Sequence, residues 1–135
     1  MIFLNRKLDD YEVNQLASYM ESLPPVISLS EARGKHLDMA VSRGKLLFEN
    51  RGCADCHAAP TYTSHDVYDV GVVDEMKQRL FNPPSLRGVS QLGPELFHDC
   101  RADGIRGVLV NQKHHLKEQL SDQQVSDLIA FLNAL

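Results

Sequence analysis

The chain has 135 residues, 43% of them hydrophobic and 24% charged, with 14 Lys and Arg against 18 Asp and Glu for a formal charge of -4. That length holds one domain with its own core and is short for two. No apolar run approaches the roughly 20 residues that a membrane helix needs. The negative charge argues against nucleic acid and anionic membrane surfaces as partners and favours a positively charged protein patch, with most of the carboxylates forming an ordinary solvated face.

The first predicted element lies within residues 1–23. Residues 8–23 read LDDYEVNQLASYMESL and residues 120–135 read LSDQQVSDLIAFLNAL. Leu8, Asp10, Val13, Leu16 and Leu23 coincide with Leu120, Asp122, Val125, Leu128 and Leu135, and Tyr19 and Met20 match Phe131 and Leu132 in kind. Each copy opens on an N-cap residue, Asp9 or Ser121, followed three positions later by Glu12 or Gln124 as a capping box, and each lines one helical face with apolar side chains. Helical periodicity by itself forces Leu and Val into register, so composition can produce such a likeness. The sharper reading makes residues 1–23 the closing helix of a preceding domain, and Pro24-Pro25 ends it because proline cannot continue a helix. The expected organisation is therefore 1–27 as that helix plus a Pro-Pro linker, and 28–135 as the domain proper.

A second helix is expected from Ser28, with Glu31 completing a capping box, through Leu37, Val41, Gly44 and Phe48 to about Asn50. From Ala58 to about Asp103 the chain is rich in Pro, Gly and Asp without a sustained period, so it reads as loop with a turn of helix near Asp74 to Leu80. So long a loop calls for something other than protein to fill the core. A short helix near Ile105 to Val110 and a terminal helix from Asp122 complete the chain, and no strand pattern stands out.

Cysteines stand only at 53, 56 and 100, an odd count that is not a disulfide framework. Cys53-Ala54-Asp55-Cys56-His57 fits the CxxCH pattern of covalent haem attachment. Two thiols three residues apart on a turn can reach the two vinyl groups on one porphyrin edge, and the next residue turns its imidazole to the iron. A thioredoxin-type dithiol lacks its βαβ context here, and half of a zinc site lacks a second CxxC. Such haem attachment is completed outside the bacterial cytoplasm, yet residues 1–7 lack the pattern of a secretory signal. Either the signal was removed or the chain is part of a longer one, and a periplasmic or otherwise exported location is expected.

With these residues in view, Gly44-Lys45-Leu46-Leu47-Phe48, four residues and then Cys53, resembles the GxxLFxxxxCxxCH signature of c-type cytochromes. That resemblance implies an all-α, cytochrome c-like domain around one covalent haem, with long loops, an extra N-terminal helix, and the N-terminal helix crossing the C-terminal one at Gly44 and Phe48, against Leu128 and Phe131. Asp69-Val70-Gly71, Asn82-Pro83-Pro84-Ser85-Leu86-Arg87-Gly88-Val89 and Gly93-Pro94-Glu95-Leu96-Phe97-His98-Asp99-Cys100-Arg101-Ala102 resemble a narrower group, the carboxy-terminal haem domain of bacterial di-haem cytochrome c peroxidases and MauG-like proteins. The resemblance sets Pro84, Arg87, Phe97 and Arg101 beside the haem. Arg87 and Arg101 suit the propionates, although solvated surface is also open to Arg101, and the Pro83-Pro84 step suits a carbonyl acceptor for the His57 Nδ1 proton. His98 matches a motif histidine that is not an axial ligand in that group. Cys100 replaces its usual glycine, as a small free cysteine or as a thiol near the haem.

The distal ligand of that group falls fourteen residues after His98, where this chain has Gln112. His114 and His115 follow closely, and either is expected as the sixth ligand or as a solvated loop residue; Met76, in the long loop, is a weaker candidate. The distal side decides function, because two strong axial ligands favour electron transfer and an open position favours peroxide or gas chemistry. Electron transfer through Fe(III)/Fe(II) to a redox partner protein or an upstream haem domain is the leading expectation, with no residue of this chain assigned as catalytic. The alternatives are part of a peroxide-reducing or MauG-like di-haem oxidoreductase, which needs a second haem domain, and a haem-based gas or redox sensor. An exposed N-terminal helix could also drive self-association.

Overall fold

The computed structural model describes residues 6–24, 27–28, 32 and 38–135. Helix α1 (Asp10–Ser22) starts where Asp9 accepts from the Glu12 amide at 2.8 Å and the Glu12 carboxylate accepts from the Asp9 amide at 3.1 Å. This reciprocal cap satisfies two of the amides that a helix start leaves without partners. None of its residues is buried.

Helix α2 (Met39–Asn50) opens on Asp38, whose extended backbone and side-chain bond to the Ala40 amide at 3.2 Å mark a new helix start. The single helix expected from Ser28 to Asn50 is therefore interrupted at Asp38. Glu31 of its capping box and residues 33–37 lie outside the described residues. At its far end Gly52, at φ 80°, reverses the chain into a 3-10 turn over Cys53–Asp55. Glycine is the residue that takes this left-handed backbone without a Cβ penalty.

The stretch from Ala58 to Asp103 is loop, pinned by two short antiparallel pairs among the described residues: β1 (Tyr68–Asp69) with β2 (Leu80–Phe81), and β3 (Glu95–Leu96) with β4 (Ala102–Asp103). Two-residue strands are too short to show a period of two, which is why the sequence does not announce them. Between β1 and β2, where a helical turn was expected, the Asp74 carboxylate instead accepts from the amides of Met76 at 2.9 Å and Gln78 at 2.7 Å. An aspartate that bonds the backbone a few residues on favours a tight turn over a helix. Asn82 ties the loop to itself, its side-chain amide donating to the carbonyls of Ser64 and Asp66 at 2.8 and 2.9 Å.

Helix α3 (Gly104–Arg106) runs into a wider π-helical turn over Gly107–Asn111, and helix α4 (Asp122–Leu132) closes the chain. Helix α4 repeats the reciprocal cap with Ser121 and Gln124. It buries Val125, Asp127, Leu128, Phe131 and Leu132, and the core forms where it crosses α2, with Phe48, Val89 and Leu120 joining it. Gly44 makes the crossing close: a Cβ there would stand 2.0 Å from the Asp127 carbonyl oxygen and 2.7 Å from the Phe131 Cβ. Phe48 and Phe131 meet with ring centroids 5.3 Å apart, and Tyr62 from the loop sits 6.0 Å from each. Such tilted aromatic contacts add about 0.5–1.5 kcal/mol each beyond the area they bury. One ionic contact locks the same crossing: Arg43 donates to both carboxylate oxygens of Asp127, at 2.8 and 2.7 Å, and Gln123 donates to Asp127 at 3.0 Å. This mostly helical frame, with long loops and a few two-residue strands, is consistent with the cytochrome c-like arrangement expected from the sequence.

Candidate functional site

Beside the α2/α4 crossing, and reached by Leu132 of α4, the turn after α2 and the long loop enclose a cavity of about 540 Å³, within the range of small-molecule and cofactor pockets. Val70, Val72, Leu86, Val89, Ile105 and Leu109 give it apolar walls, and Cys53, Cys56, His57, His114 and His115 bring thiols and imidazoles into it.

Cys53, Cys56 and His57 share one turn. The amides of Cys56 and His57 both donate to the Cys53 carbonyl, the second at 3.0 Å, so two thiols and one imidazole come to a single wall. Burial pushes the Cys53 thiol up from its ordinary range, reinforced by the charges of Asp55 and Cys56, and burial and Asp55 push up Cys56 in the same direction. A redox-active dithiol works through a depressed thiol pKa, the opposite of this. Among the described residues no three His, Cys, Asp or Glu side chains converge on a metal site of their own, so the zinc reading gains no further ligands.

The His57 Nδ1 lies 3.1 Å from the Tyr62 carbonyl oxygen. Donation there fixes the proton on Nδ1 and leaves Nε2 with its lone pair, the form in which imidazole binds a metal. Burial lowers the His57 pKa, opposed first by the Tyr62 carbonyl and then by that of Pro84. The Pro83-Pro84 step expected to supply the acceptor is thus the lesser partner. Tyr62 holds this role through backbone geometry: its φ is 53°, its amide donates to the Ala58 carbonyl at 2.7 Å, and its carbonyl also accepts from the Leu86 amide at 3.2 Å. Nothing in the residue type or spacing marks Tyr62 beforehand, because the contact is made by a main-chain oxygen.

The π-helical turn after α3 sets the other wall. The His114 amide donates to the Val108 carbonyl at 3.1 Å, and Lys113 and His115 flank it with φ of 48° and 54°. π-turns recur at functional sites because the extra residue re-aims side chains. His114 is half-buried with its ring 5.3 Å from Phe97, and its pKa is lowered first by burial and then by the charges of His57 and His115. His115 also lines the cavity but is exposed.

Of the other sequence-marked residues, Pro84, Phe97 and His98 line the cavity, and His98 stacks on Phe81 at 4.9 Å. Arg87, Arg101, Gln112, Cys100 and Met76 stand outside its lining. Arg101 pairs with Asp99 at 2.6 Å, Gln112 donates to the Arg101 carbonyl at 3.2 Å, and Met76 is 80% exposed. Cys100 has a φ of 57°, which accounts for the glycine that the resembling group carries there.

An apolar cavity with one CxxCH turn on its wall, enclosed by short helices and long loops, fits a haem held through thioethers and defines the class as a c-type haem domain. Residues 41–135 match the family model for cytochrome c, and the chain belongs to the cytochrome c family, whose domains bind haem covalently and transfer electrons. Among solved structures, a chain of hydrazine synthase from Kuenenia stuttgartiensis, determined under 20 bar xenon, superposes with a TM-score of 0.71 at 20% identity, over 94% of this chain and 56% of that one. At that identity the likeness is one of fold, and the chain spans little more than half of that protein's length. No curated protein sequence matches it. No helix among the described residues is long and apolar enough to cross a membrane.

Proposed function

We propose that the chain holds one haem c, bound through thioethers to Cys53 and Cys56, with His57 as proximal and His114 as distal axial ligand, and that it works as an electron-transfer domain. One observation carries this reading: His57, from the CxxCH turn, and His114, from the segment after the π-turn, line the same cavity. Of the two adjacent histidines, His114 is the one that burial and the Phe97 ring hold in place. When bound, the haem supplies a one-electron Fe(III)/Fe(II) couple, and two imidazoles favour a lower potential than a His/Met pair. The chain's own part is to fix the His57 tautomer through Tyr62, seat the His114 ring against Phe97, and exclude water with apolar walls. Attachment of this kind is completed outside the bacterial cytoplasm, so the reading carries a periplasmic or otherwise exported location with it.

Absorption and EPR spectra of the ferric protein test this. A six-coordinate low-spin centre is expected, turning high-spin in His114→Ala and unchanged in His115→Ala. A native high-spin signal, or no change in His114→Ala, would overturn the assignment.

A second reading is favoured by the segments that resemble the di-haem peroxidase and MauG-like group. Val70, Leu86, Phe97 and His98 of those segments all line the cavity, so the likeness falls on the site and not only on the surface. In that reading the chain is the carboxy-terminal part of an enzyme completed by a second haem domain. Peroxide turnover by the longer protein and none by this chain alone is the expected result; turnover by neither leaves electron transfer as the function.

A further inference from the structure

We infer that the exposed face of α1 is the docking surface for the first helix of a second cytochrome c-type domain, one that crosses α1 as α2 crosses α4. The observation is a correspondence between two helices whose surroundings differ. Over the matching stretches 8–23 and 120–135, the α4 positions that are buried, Val125, Leu128, Phe131 and Leu132, align with Val13, Leu16, Tyr19 and Met20 of α1. Those four α1 residues are 47, 50, 62 and 63% exposed. The reciprocal cap forms on both helices, so α1 is built to the same pattern, yet it buries none of its residues.

What covers α4 is known from this molecule. It is a helix with glycine at its point of closest approach and an aromatic ring four residues on, leading into a CxxCH turn. Apolar faces as large as that of α1 are seldom left to water in a folded protein. The α2 helix of another copy of this chain is not free to serve, because its own α4 already covers it, with Gly44 buried and Phe48 only 4% exposed. The occupant is therefore a helix of the α2 type belonging to a different cytochrome c domain. The structurally similar hydrazine synthase chain, of which 56% is covered, has polypeptide beyond one unit of this size.

The differences between the two helices state the partner's chemistry. Asp127, which receives Arg43, is replaced in register by Gln15, and Phe131 by Tyr19. A neutral amide offers a guanidinium no charge pairing of the kind that Asp127 gives Arg43, so the partner needs no arginine at the position of Arg43. The Tyr19 hydroxyl asks for a hydrogen-bonding group or an edge open to water where Phe131 has neither. The inference rests on the haem reading above only in naming the partner's class.

The test uses the full-length gene product in its own cells, with a benzophenone-bearing phenylalanine in place of Tyr19, photo-crosslinking, and sequencing of the joined peptide. The expected product is a peptide with a small residue four positions before an aromatic, on the N-terminal side of a CxxCH other than Cys53–His57. Adding Leu16→Asp should abolish the crosslink and leave the haem spectrum unchanged, since α1 buries no residue. A crosslink to α1 of a second copy, to a peptide without that pattern, or no crosslink at all would overturn the inference. Each of these outcomes is independent of the ligand spectra that test His114.

Discussion

Gly44→Ala places one methyl group at the α2/α4 crossing, and its cost can be worked from the distances there. The new Cβ would lie 2.0 Å from the Asp127 carbonyl oxygen, 2.7 Å from the Asp127 carbonyl carbon and 2.7 Å from the Phe131 Cβ. All three are backbone or Cβ atoms, so no rotamer change relieves the contact and the helices must move apart by more than an ångström to reach ordinary contact. A radial gap of about 0.5–1 Å already forfeits about a quarter to a half of each dispersion contact, and Phe48, Leu128 and Phe131 all face that gap. Overpacking costs about 1–3 kcal/mol, and backbone clashes belong at the upper end. Replacing a mid-helix glycine by alanine returns about 1 kcal/mol of helix propensity. The net loss is about 2 kcal/mol, which at about 3–4 °C per kcal/mol for a chain of this length lowers the melting temperature by about 6–8 °C. Thermal unfolding of the haem-loaded protein, followed by circular dichroism, measures it. Gly93→Ala is the control, because its Cβ would meet no atom within 4 Å. A Gly44→Ala melting temperature within about 2 °C of that control would refute the close crossing.

The Arg43–Asp127 pair makes acid stability dependent on one carboxylate. Its hydrogen bond from Arg43 holds the Asp127 pKa below the ordinary aspartate range, so its contribution is present above that range and is lost as pH falls through the lowered folded value. Asp127→Asn should flatten this acid limb in urea titrations run across pH; an unchanged pH profile would count against the pair. At Cys100 the left-handed φ of 57° costs a side chain roughly 1–2 kcal/mol, and glycine's extra chain entropy takes back about 0.5–1 kcal/mol. Cys100→Gly should therefore raise stability by about 0.5–1 kcal/mol in denaturant unfolding, and a loss would refute the strained turn.

Residue spacing alone marked the CxxCH turn and much of the frame. CxxCH needs only a single turn to bring two thiols and an imidazole together, and the capping boxes at Asp9 and Ser121 start their helices through contacts three residues apart. The Gly44 and Phe48 pattern marked the helix crossing because a close approach requires a small residue wherever the partner lies in the sequence. Distances along the chain could not fix the wall opposite that turn. His114 and His115 are neighbours in sequence, and the π-turn over Gly107–Asn111 with the left-handed residues around it leaves the first half-buried against Phe97 and the second exposed. The same limit applies to the His57 partner, since any residue has a carbonyl and only the fold brings that of Tyr62 to 3.1 Å. It applies also to α1, whose pattern matches α4 while its surroundings do not. Whether an apolar face is covered depends on what the rest of the chain brings to it, and periodicity holds no information about that.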